Sequence, residues 1–318
     1  MKHLFIVNPA AGKKDRSWQI RQLASEKLGR QGLDYEVYVT AGPMDACEKL
    51  RAEADKGEAL RVYACGGDGT LNECANGAAG RENVALTHFP TGTGNDFIKS
   101  FGADAKLFFD LDALLNGEAR PLDTICCNGR HGLSICSVGI DARIGGDVHK
   151  YSKIPLIGGA TGYVTSMLVN LFKGINQELE LTVDDRRYTG PRALVCACNG
   201  SFYGGGFNPI PEAVPDDGLI DFLIVRPVRR LQFLQLVGKY AKGRYRELSH
   251  MIEREQGRRM DLRSEEVLAV NIDGEILRDK QVHMEICPGS VNFILPRGAA
   301  FLEERKRKQE QNGDILRK

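Results

Sequence analysis

The sequence predicts two domains of different class, an N-terminal doubly wound α/β/α domain and a larger C-terminal antiparallel β-sandwich. Three observations predict this architecture. The chain has 318 residues, more than one hydrophobic core usually holds. Apolar strand-like runs alternate with helical stretches up to about residue 117, and strand-like runs dominate after it. We therefore expect domains at residues 1–120 and 121–295, with the tail 296–318 packing back on the first.

Four buried parallel strands are expected in the N-terminal domain, because short apolar runs alternate there with helical stretches. The runs are residues 3–8, 34–40, 60–65 and 83–89. The first helical stretch, 15–31, places Trp18, Leu23 and Leu28 on one apolar side. In such sheets ligands bind beyond the carboxyl ends of the strands, so the loops that follow the four runs should share one rim.

The sequence GGDGT at residues 66–70 predicts a glycine turn between a strand and a helix. Thr70 can cap that helix, and backbone N–H groups at a helix N-terminus bind anions. Asp68 among those donors indicates a cation between carboxylate and phosphate, and Mg²⁺ fits best. The sequence is neither a P-loop nor a dinucleotide fingerprint, since no GxxxxGK[ST] occurs and Asn72 replaces the third glycine. A plain strand-to-helix turn is the alternative.

A second glycine loop, PTGTGND at residues 90–96, follows the fourth run on the same rim. Thr93 can donate to a phosphate, and Gly94 keeps the backbone open. Asn95 and Asp96 begin a helix, with Lys99 one turn further on. By itself this loop could equally be a glycine-rich helix cap.

The C-terminal domain reads as eight strands with few helices, which is typical of an antiparallel sandwich. The strands are expected at 120–127, 131–138, 177–184, 192–198, 218–225, 267–272, 282–286 and 291–295. Two helical stretches, 157–173 and 229–246, interrupt them. The second is basic and amphipathic, so it either lies on an anionic membrane surface or packs its apolar face on the sandwich.

Composition restricts the class of protein. Lys+Arg 43 against Asp+Glu 42 gives a net charge of +1, which does not favour a nucleic-acid partner. No continuous membrane span and no signal peptide are visible, so we expect a cytoplasmic protein. Seven of the nine cysteines lie in apolar strand-like runs, which favours buried reduced thiols over disulfides or zinc. They are Cys65, Cys126, Cys127, Cys136, Cys196, Cys198 and Cys287.

Five motifs in this order resemble one enzyme family. They are NPAAGK (8–13), GGDGTLNE (66–73), PTGTGND (90–96), PDDG (215–218) and DGE (273–275). Together they resemble the diacylglycerol kinase catalytic family in its soluble bacterial lipid kinase branch; sphingosine kinases and, more distantly, NAD kinases are similar. The resemblance covers nearly the whole chain. It implies that the γ-phosphate of ATP is transferred to a lipid hydroxyl, with ATP in a cleft between the domains.

The resemblance also implies roles for individual residues. Glu275 of DGE would be the general base, and Asp68 would organise Mg²⁺ with Asp96 and Asp123 in support. Lys13 and Lys99 match basic positions near the phosphates. Nucleotide contacts would fall on Asn8, Pro9, Ala10, Ala11, Gly12, Thr40, Gly66, Gly67, Asp68, Gly69, Thr70, Leu71, Asn72 and Thr93.

A second, structural metal is implied near the PDDG loop. Its ligands would be the Asp217 side chain and the backbone oxygens of Val214 and Leu219. A plain turn held by Asx-type bonds is the alternative there, and a hairpin turn is the alternative at DGE.

The leading functional hypothesis is a lipid kinase that acts on diacylglycerol or a related hydroxylated lipid at a membrane surface; a homodimer is compatible with the sequence. Phosphoryl transfer asks mainly for positioning and for neutralised phosphate charge, which glycine loops, lysines and a metal-binding carboxylate supply. The enzyme alternative is a NAD kinase, which shares GGDG but would not be expected to carry PTGTGND. The alternative from another class is a nucleotide- or lipid-binding regulator without catalysis.

Overall fold

The structure is a computed structural model that describes residues 1–152, 169–171, 174–301 and 304, with side chains from 148 to 152 left out. The chain forms two compact units. The first contains Met1–Leu122 and the described residues from Val291 onward, and the second is Asp123–Ser290. An α/β unit followed by an antiparallel β unit confirms the predicted fold class.

The sheet of the first unit is parallel, in the order β4-β3-β1-β2. Its strands are β1 (Lys2–Val7), β2 (Tyr35–Val39), β3 (Leu60–Gly66) and β4 (Val84–Pro90). Val7 pairs with Val39 and with Cys65, and Cys65 pairs with Phe89. The four carboxyl ends are therefore level, and the loops that follow them start along one edge, where ligands of such sheets bind.

Helices connect these strands. They are α1 (Ser17–Lys27), α2 (Asp45–Ala54), α3 (Asp68–Ala78), α4 (Asp96–Lys99) and α5 (Leu111–Leu115), with 3₁₀ turns at Gly29–Gln31 and Gly102–Phe109. Trp18 was predicted on the apolar side of α1, but its side chain is 69% exposed. The buried face of α1 is set by Ile20 and Ala24. Trp18 lies about 200° around the helix from Ile20 and so points away from the sheet.

The predicted domain boundary is corrected at the C-terminal end. Residues 291–295 were assigned to the second domain, but they belong to the first unit. Asn292 pairs in parallel with Ala85, and Phe293 with Leu86, so this end of the chain extends the parallel sheet beside β4. In the tail, the Arg297 N–H donates to the Ala113 carbonyl at 2.9 Å. The predicted tail residues 302–303 and 305–318 lie outside the described residues.

The second unit is an antiparallel sheet in the order β14-β13-β12-β7-β15-β16. Beside this path, β9 pairs with β15, β10 with β9, and β5 with β16 and β6, while β8 and β11 form a separate pair. The strands are β5 (Glu118–Cys127), β6 (Arg130–Gly132), β7 (Ile135–Gly139), β8 (Gln177–Glu178), β9 (Glu180–Val183), β10 (Arg186–Tyr188), β11 (Pro191–Arg192), β12 (Leu194–Cys198), β13 (Ile220–Val225), β14 (Ile252–Gly257), β15 (Arg259–Ile272) and β16 (Glu275–Leu295). The prediction of eight strands missed β10, β14 and the first half of β15. Charged residues dominate there, and burial of Met260 and Leu262 is the main apolar signal.

Helices cover one face of this unit. They are α6 (Ile140–Ser152) and α7 (Arg230–Tyr240), with a 3₁₀ turn at Tyr245–Leu248. Phe233, Leu236 and Tyr240 of α7 pack into a buried cluster with β12 and β13. The basic helix predicted at 229–246 therefore packs its apolar face on the β unit. Most of the helix predicted at 157–173 lies outside the described residues.

Two features bear on the predicted class. In the part of the chain that the structure describes, no helix is long and apolar enough to cross a membrane. All nine cysteines are free. Cys126 and Cys287 were predicted to be buried but are partly exposed, because their side chains point to the outer face of β5 and β16.

Candidate active site

Two glycine turns pack against each other at the carboxyl edge of the parallel sheet. The Gly66 carbonyl accepts hydrogen bonds from the N–H groups of Thr91 (2.8 Å) and Gly92 (2.9 Å). A Cβ on Gly92 would lie 2.4 Å from the Gly67 Cα, and one on Gly66 would lie 2.2 Å from the Thr70 hydroxyl oxygen. The predicted turns GGDGT and GTGND are thus one structure, and glycine is needed where the two backbones touch.

His88 also holds this junction, and sequence reasoning missed it. Its Nε2 lies 3.1 Å from the Gly66 carbonyl oxygen. Burial lowers the pKa of His88 to about 4, so the ring is neutral near pH 7 and Nε2–H can donate to that carbonyl. The Gly66 oxygen therefore receives three donors, which fixes the turn.

The loop after β1 joins the same junction. The Asn8 side chain donates from Nδ2 to the Thr70 hydroxyl at 3.1 Å, and its Oδ1 accepts from the Ala10 N–H at 3.0 Å. Thr40 is tied to the same edge by its N–H, which donates to the Val7 carbonyl at 2.9 Å. The prediction that Thr70 caps the helix is wrong. The residue before α3 is Gly67, without a side-chain cap, and Thr70 lies inside the helix.

The other residues predicted to contact nucleotide lie in these segments. Pro9, Ala11 and Gly12 follow Asn8, with Ala11 N–H donating to the Asn8 carbonyl at 3.2 Å. Gly69 is exposed in the first turn of α3, whereas Leu71 and Asn72 are buried. Any contact of the Leu71 side chain with a ligand is therefore blocked by the core.

Asp68 connects the two glycine turns through its carboxylate. Its Oδ1 accepts hydrogen bonds from the N–H groups of Asp96 (2.5 Å) and Phe97 (3.4 Å). A Cβ on Gly94 would lie 2.7 Å from Asp68 Oδ2, so this glycine leaves room for the carboxylate. Asp96 in turn accepts from Lys99 Nζ at 2.5 Å. The structure therefore brings three predicted site residues together: Asp68, Asp96 and Lys99 form one group of charged side chains.

A cavity of about 650 Å³ lies beside these turns. Its walls combine the second glycine loop with the segment after β1: Gly12, Lys13, Lys14, Arg16, Gln19, Thr91, Gly92 and Thr93. Lys13, Lys14 and Arg16 are exposed, and the structure gives them no ion pair within the described residues. Three exposed cations around one cavity suit a polyanion such as a phosphate chain.

Lys14, Arg16 and Gln19 were not predicted as site residues. The first helix was predicted to begin at residue 15, which would have placed Arg16 and Gln19 on it. The carboxylate of Asp15 accepts from the Ser17 N–H (2.7 Å) and hydroxyl (2.5 Å), and α1 begins only at Ser17. The run of two lysines directly after NPAAG was the available signal.

The DGE segment in the second unit is a hairpin turn. Asp273 and Gly274 have φ of 49° and 102°, as a two-residue turn between β15 and β16 requires. The Asp273 carboxylate accepts from the N–H groups of Leu133 (2.6 Å), Ser134 (3.0 Å) and Ile135 (2.8 Å). Glu275 is exposed at the first position of β16. The rigid turn fixes the backbone of Glu275 and leaves its carboxylate accessible.

Asp123 organises the PDDG loop. Its carboxylate accepts from the Gly218 N–H and from the Gly289 N–H, both at 2.7 Å, and its own N–H donates to the Pro215 carbonyl at 2.8 Å. Asp123 is a residue of the second unit and Asp68 of the first. These contacts show that Asp123 is a buried carboxylate that holds the PDDG loop in place.

Asp217 lies in this loop between Val214 and Leu219. Its Oδ1 accepts from the Leu219 N–H at 3.0 Å, an Asx-type bond. Burial raises the pKa of Asp217, and the nearby carboxylates of Asp221 and Asp123 raise it further. Asp221 is neutralised by Arg254 at 2.6 Å. The carboxylate oxygens of Asp217 and Asp123 are of the kind that a hard cation takes as ligands.

An α/β unit with a basic, glycine-walled cavity, followed by a β-sandwich, defines a class of phosphoryl-transfer enzymes. Two family models match this chain: the "Diacylglycerol kinase catalytic domain" at residues 2–127 and the "YegS C-terminal NAD kinase beta sandwich-like domain" at residues 134–295. The chain belongs to the diacylglycerol kinase catalytic family, in its bacterial lipid kinase branch. It is a phosphotransferase with an alcohol group as acceptor.

Relatives agree with this assignment. The chain is 24% identical over 249 residues to "Putative lipid kinase SAR0780" of Staphylococcus aureus, covering 78% of this chain and 81% of that protein. Two solved structures from Bacillus anthracis, a "putative diacylglycerol kinase" in both cases, are 25% identical and cover 94% of this chain and 98% of theirs. Their TM-scores are 0.71 and 0.67.

Proposed function

We propose that this protein is an ATP- and Mg²⁺-dependent kinase that phosphorylates a hydroxyl of diacylglycerol or a related lipid for phospholipid metabolism. One observation carries the nucleotide part of the proposal. The cavity of about 650 Å³ combines three exposed cations with the second glycine loop, whose Gly92 backbone touches Gly67 of the first turn. Such a cavity binds a triphosphate by charge, without the P-loop sequence.

In this proposal the phosphate chain of ATP lies against Lys13, Lys14 and Arg16. The residues that would hold Mg²⁺ are Asp68 and Asp96, whose carboxylates stand beside the glycine turns. Carboxylate oxygens suit Mg²⁺, and the bonds that Asp68 Oδ1 accepts from Asp96 and Phe97 fix the orientation of its carboxylate. When bound, the cation would neutralise charge that develops on the transferred phosphoryl group.

Glu275 is the proposed general base for the acceptor hydroxyl. It is an exposed carboxylate on a rigid turn, and a positioned base contributes roughly 10²- to 10⁴-fold to such a reaction. Asp217, with the carbonyls of Val214 and Leu219, is the proposed site of a second, structural cation. The position of the Asp217 carboxylate near that of Asp123 supports it, because a cation would relieve the repulsion between them.

The acceptor and the base are tested with the purified full-length chain, Mg²⁺, labelled ATP and a total lipid extract. We expect one lipid class to become labelled, and diacylglycerol to compete with it. Phosphorylation of NAD instead would identify the alternative NAD kinase, and ATP binding without any turnover would identify a regulator.

Glu275→Gln tests the base while keeping size and shape. We expect turnover to fall by about 10²- to 10⁴-fold with ATP affinity unchanged. Glu265→Gln is the matched control, since Glu265 is also an exposed glutamate of the second unit and should keep full turnover. A Glu275→Gln enzyme with normal turnover would refute the assignment.

A membrane contact is proposed at α7, in a cytoplasmic protein that binds the inner membrane face transiently. Leu231 and Leu234 on its outer side are 78% and 49% exposed, and Arg229 and Lys242 flank them. Exposed leucines beside cations suit an anionic lipid surface.

Vesicle sedimentation tests this contact. Leu231→Ser with Leu234→Ser should weaken binding to anionic vesicles, measured by co-sedimentation, by about 30-fold, because each leucine lost from the lipid costs about 1 kcal/mol. Leu33→Ser, at a 43% exposed leucine of the first unit, should change nothing. Equal sedimentation of all variants would remove α7 as the docking surface.

A further inference from the structure

Three side chains with metal-ligand atoms converge on the outer face of the β unit. The Sγ atoms of Cys126 and Cys287 and a carboxylate oxygen of Glu285 all lie within 4.8 Å of one another. Cys126 belongs to β5, and Glu285 and Cys287 belong to β16, which pairs with β5. The cluster therefore joins two neighbouring strands through side chains as well as through the backbone.

Strand geometry explains why these atoms meet. Successive side chains of a strand point to opposite faces. Cys127 and Ile286 point into the core, where they are 0% and 8% exposed. Their neighbours Cys126, Glu285 and Cys287 must then point outward on the same face. The other seven cysteines of the chain are buried, so these two thiols are the ones that a solvent cation can reach.

The surroundings of the cluster favour a cation. The Glu285 carboxylate and the two sulfur atoms lie within 4.8 Å of one another on the partly exposed face. Donors that repel each other's negative charge are stabilised when a cation is shared between them. His283 Nε2 lies 3.6 Å from Glu285 Oε2, and its Nδ1 lies 2.8 Å from Asp261 Oδ1. Groups of this kind orient metal-bound carboxylates in proteins.

We propose that Cys126, Glu285 and Cys287 form a binding site for one zinc-class divalent cation, with a water molecule as the fourth ligand. Two soft thiolates beside one hard carboxylate form a donor set that Zn²⁺ accepts, and the thiolates favour Zn²⁺ over the Mg²⁺ of the proposed kinase reaction. On binding, each thiol gives its proton to the solvent, and each sulfur forms one bond to the metal.

The site lies close in sequence to the residues that hold the PDDG loop. Cys126 is three residues after Asp123 on the same strand, and Cys287 is two residues before Gly289, whose N–H donates to the Asp123 carboxylate. A cation that clamps β5 to β16 here would stabilise this anchor. The proposal does not depend on the kinase assignment, because its test measures metal binding directly.

The test uses the full-length protein, reduced with a phosphine and freed of metal. Zn²⁺ is titrated in competition with a chromophoric chelator, and Co²⁺ is titrated separately to detect thiolate-to-cobalt charge-transfer absorption. We expect one equivalent of Zn²⁺ and a charge-transfer band from the wild-type protein.

Three variants and one control identify the ligands. Cys126→Ser and Cys287→Ser should each weaken Zn²⁺ binding by at least about tenfold and reduce the Co²⁺ band. Glu285→Gln should weaken Zn²⁺ binding and keep the band, because both thiolates remain. Glu265→Gln should bind as the wild type does. Circular dichroism and urea unfolding check that each variant is folded.

The proposal is overturned if the wild-type protein takes up no zinc, or if both cysteine variants bind it with unchanged affinity. A Cys126–Cys287 disulfide in the air-oxidised protein, with no zinc uptake after reduction, would likewise overturn it and identify a redox pair instead.

Discussion

The two units fix their functional loops by different physical means. In the first unit, close backbone contacts hold the glycine turns in addition to the Asp68 carboxylate: the Gly66 carbonyl accepts from Thr91 and Gly92, and the backbones of Gly67 and Gly92 touch. In the second unit, carboxylates collect backbone N–H groups from distant segments, as the buried Asp123 and the half-buried Asp273 do.

The difference follows from what each loop must present. A phosphate chain needs exposed N–H groups and close approach, so side chains are excluded from the turns. A loop that presents Glu275 or Asp217 needs a fixed backbone but no close approach, so a carboxylate can satisfy its N–H groups. The first kind of loop should therefore be sensitive to added volume, and the second to lost acceptors.

The largest effect is expected from Gly92→Ala, which adds volume at the backbone contact. Its Cβ would lie 2.4 Å from the Gly67 Cα, and two backbones cannot yield as a side chain does. We expect a loss of about 3 kcal/mol in the free energy of unfolding, and at least about a 100-fold loss of kinase activity from misplaced turns. Urea unfolding and initial rates measure these.

Gly238→Ala in α7 is the matched control, because nothing lies within 4 Å of its added Cβ. Alanine in an exposed helix should stabilise the protein by up to about 1 kcal/mol. Full activity in Gly92→Ala would show that the backbone contact is not required.

The next effect is the pH dependence that His88 gives to the first unit. In the folded chain the pKa of His88 is about 4, below its ordinary value of 6.5. As the pH falls from 6.5 to 4, His88 therefore takes up a proton in the unfolded chain but not in the folded chain. The free energy of unfolding should then fall by about 3 kcal/mol over that window, and above pH 6.5 the contribution is constant.

His88→Gln removes this titration, so its unfolding free energy should change less between pH 6.5 and 4 than that of the wild type. The measurement is urea unfolding at several pH values, and His250→Gln at an exposed histidine is the control. Parallel pH profiles for wild type and His88→Gln would contradict the neutral buried ring.

A smaller effect is expected from removing an acceptor in the second unit. In Asp273→Asn, one carboxylate oxygen becomes an NH₂ group, so at least one of the three N–H groups of residues 133–135 loses its acceptor. We expect the free energy of unfolding to fall by about 2 kcal/mol. Asp185→Asn, an exposed turn residue, should stay within about 0.5 kcal/mol of wild type. Equal unfolding curves would mean that the turn alone holds this loop.

The smallest effect is expected from Lys99→Met, which removes the ion pair with Asp96. The Lys99 side chain is 36% exposed, so the loss should be below about 1 kcal/mol and should shrink at high salt. Lys106→Met is the control at an exposed lysine. A large loss at any salt concentration would give this pair a structural role that the other contacts do not suggest.

The sequence predicted the elements that depend on local pattern. Four apolar runs with intervening helical stretches gave the parallel sheet, and GGDGT and GTGND marked the turns at its edge. Helix boundaries were less predictable. Asp15 accepts a hydrogen bond from the Ser17 N–H, α1 begins at Ser17 and not at residue 15, and Arg16 therefore lies in the cavity wall before the helix.

Residues whose partners are distant in sequence were not predictable in the same way. His88 contacts a carbonyl 22 residues away, and Asp123 accepts from residues 95 and 166 positions away. The same limit applies to β14 and the first half of β15, whose charged residues face outward while few apolar ones face the core.

By itself, the sequence determined the fold class, the family and the glycine turns. These follow from local periodicity and from glycines at positions where the backbone tolerates no other residue. The tertiary structure alone decided that the two glycine turns pack on each other, that Asp123 holds a loop, and that Cys126 and Cys287 meet Glu285 on an outer face. Those facts depend on which strands become neighbours, and strand pairing joins residues that no local pattern relates.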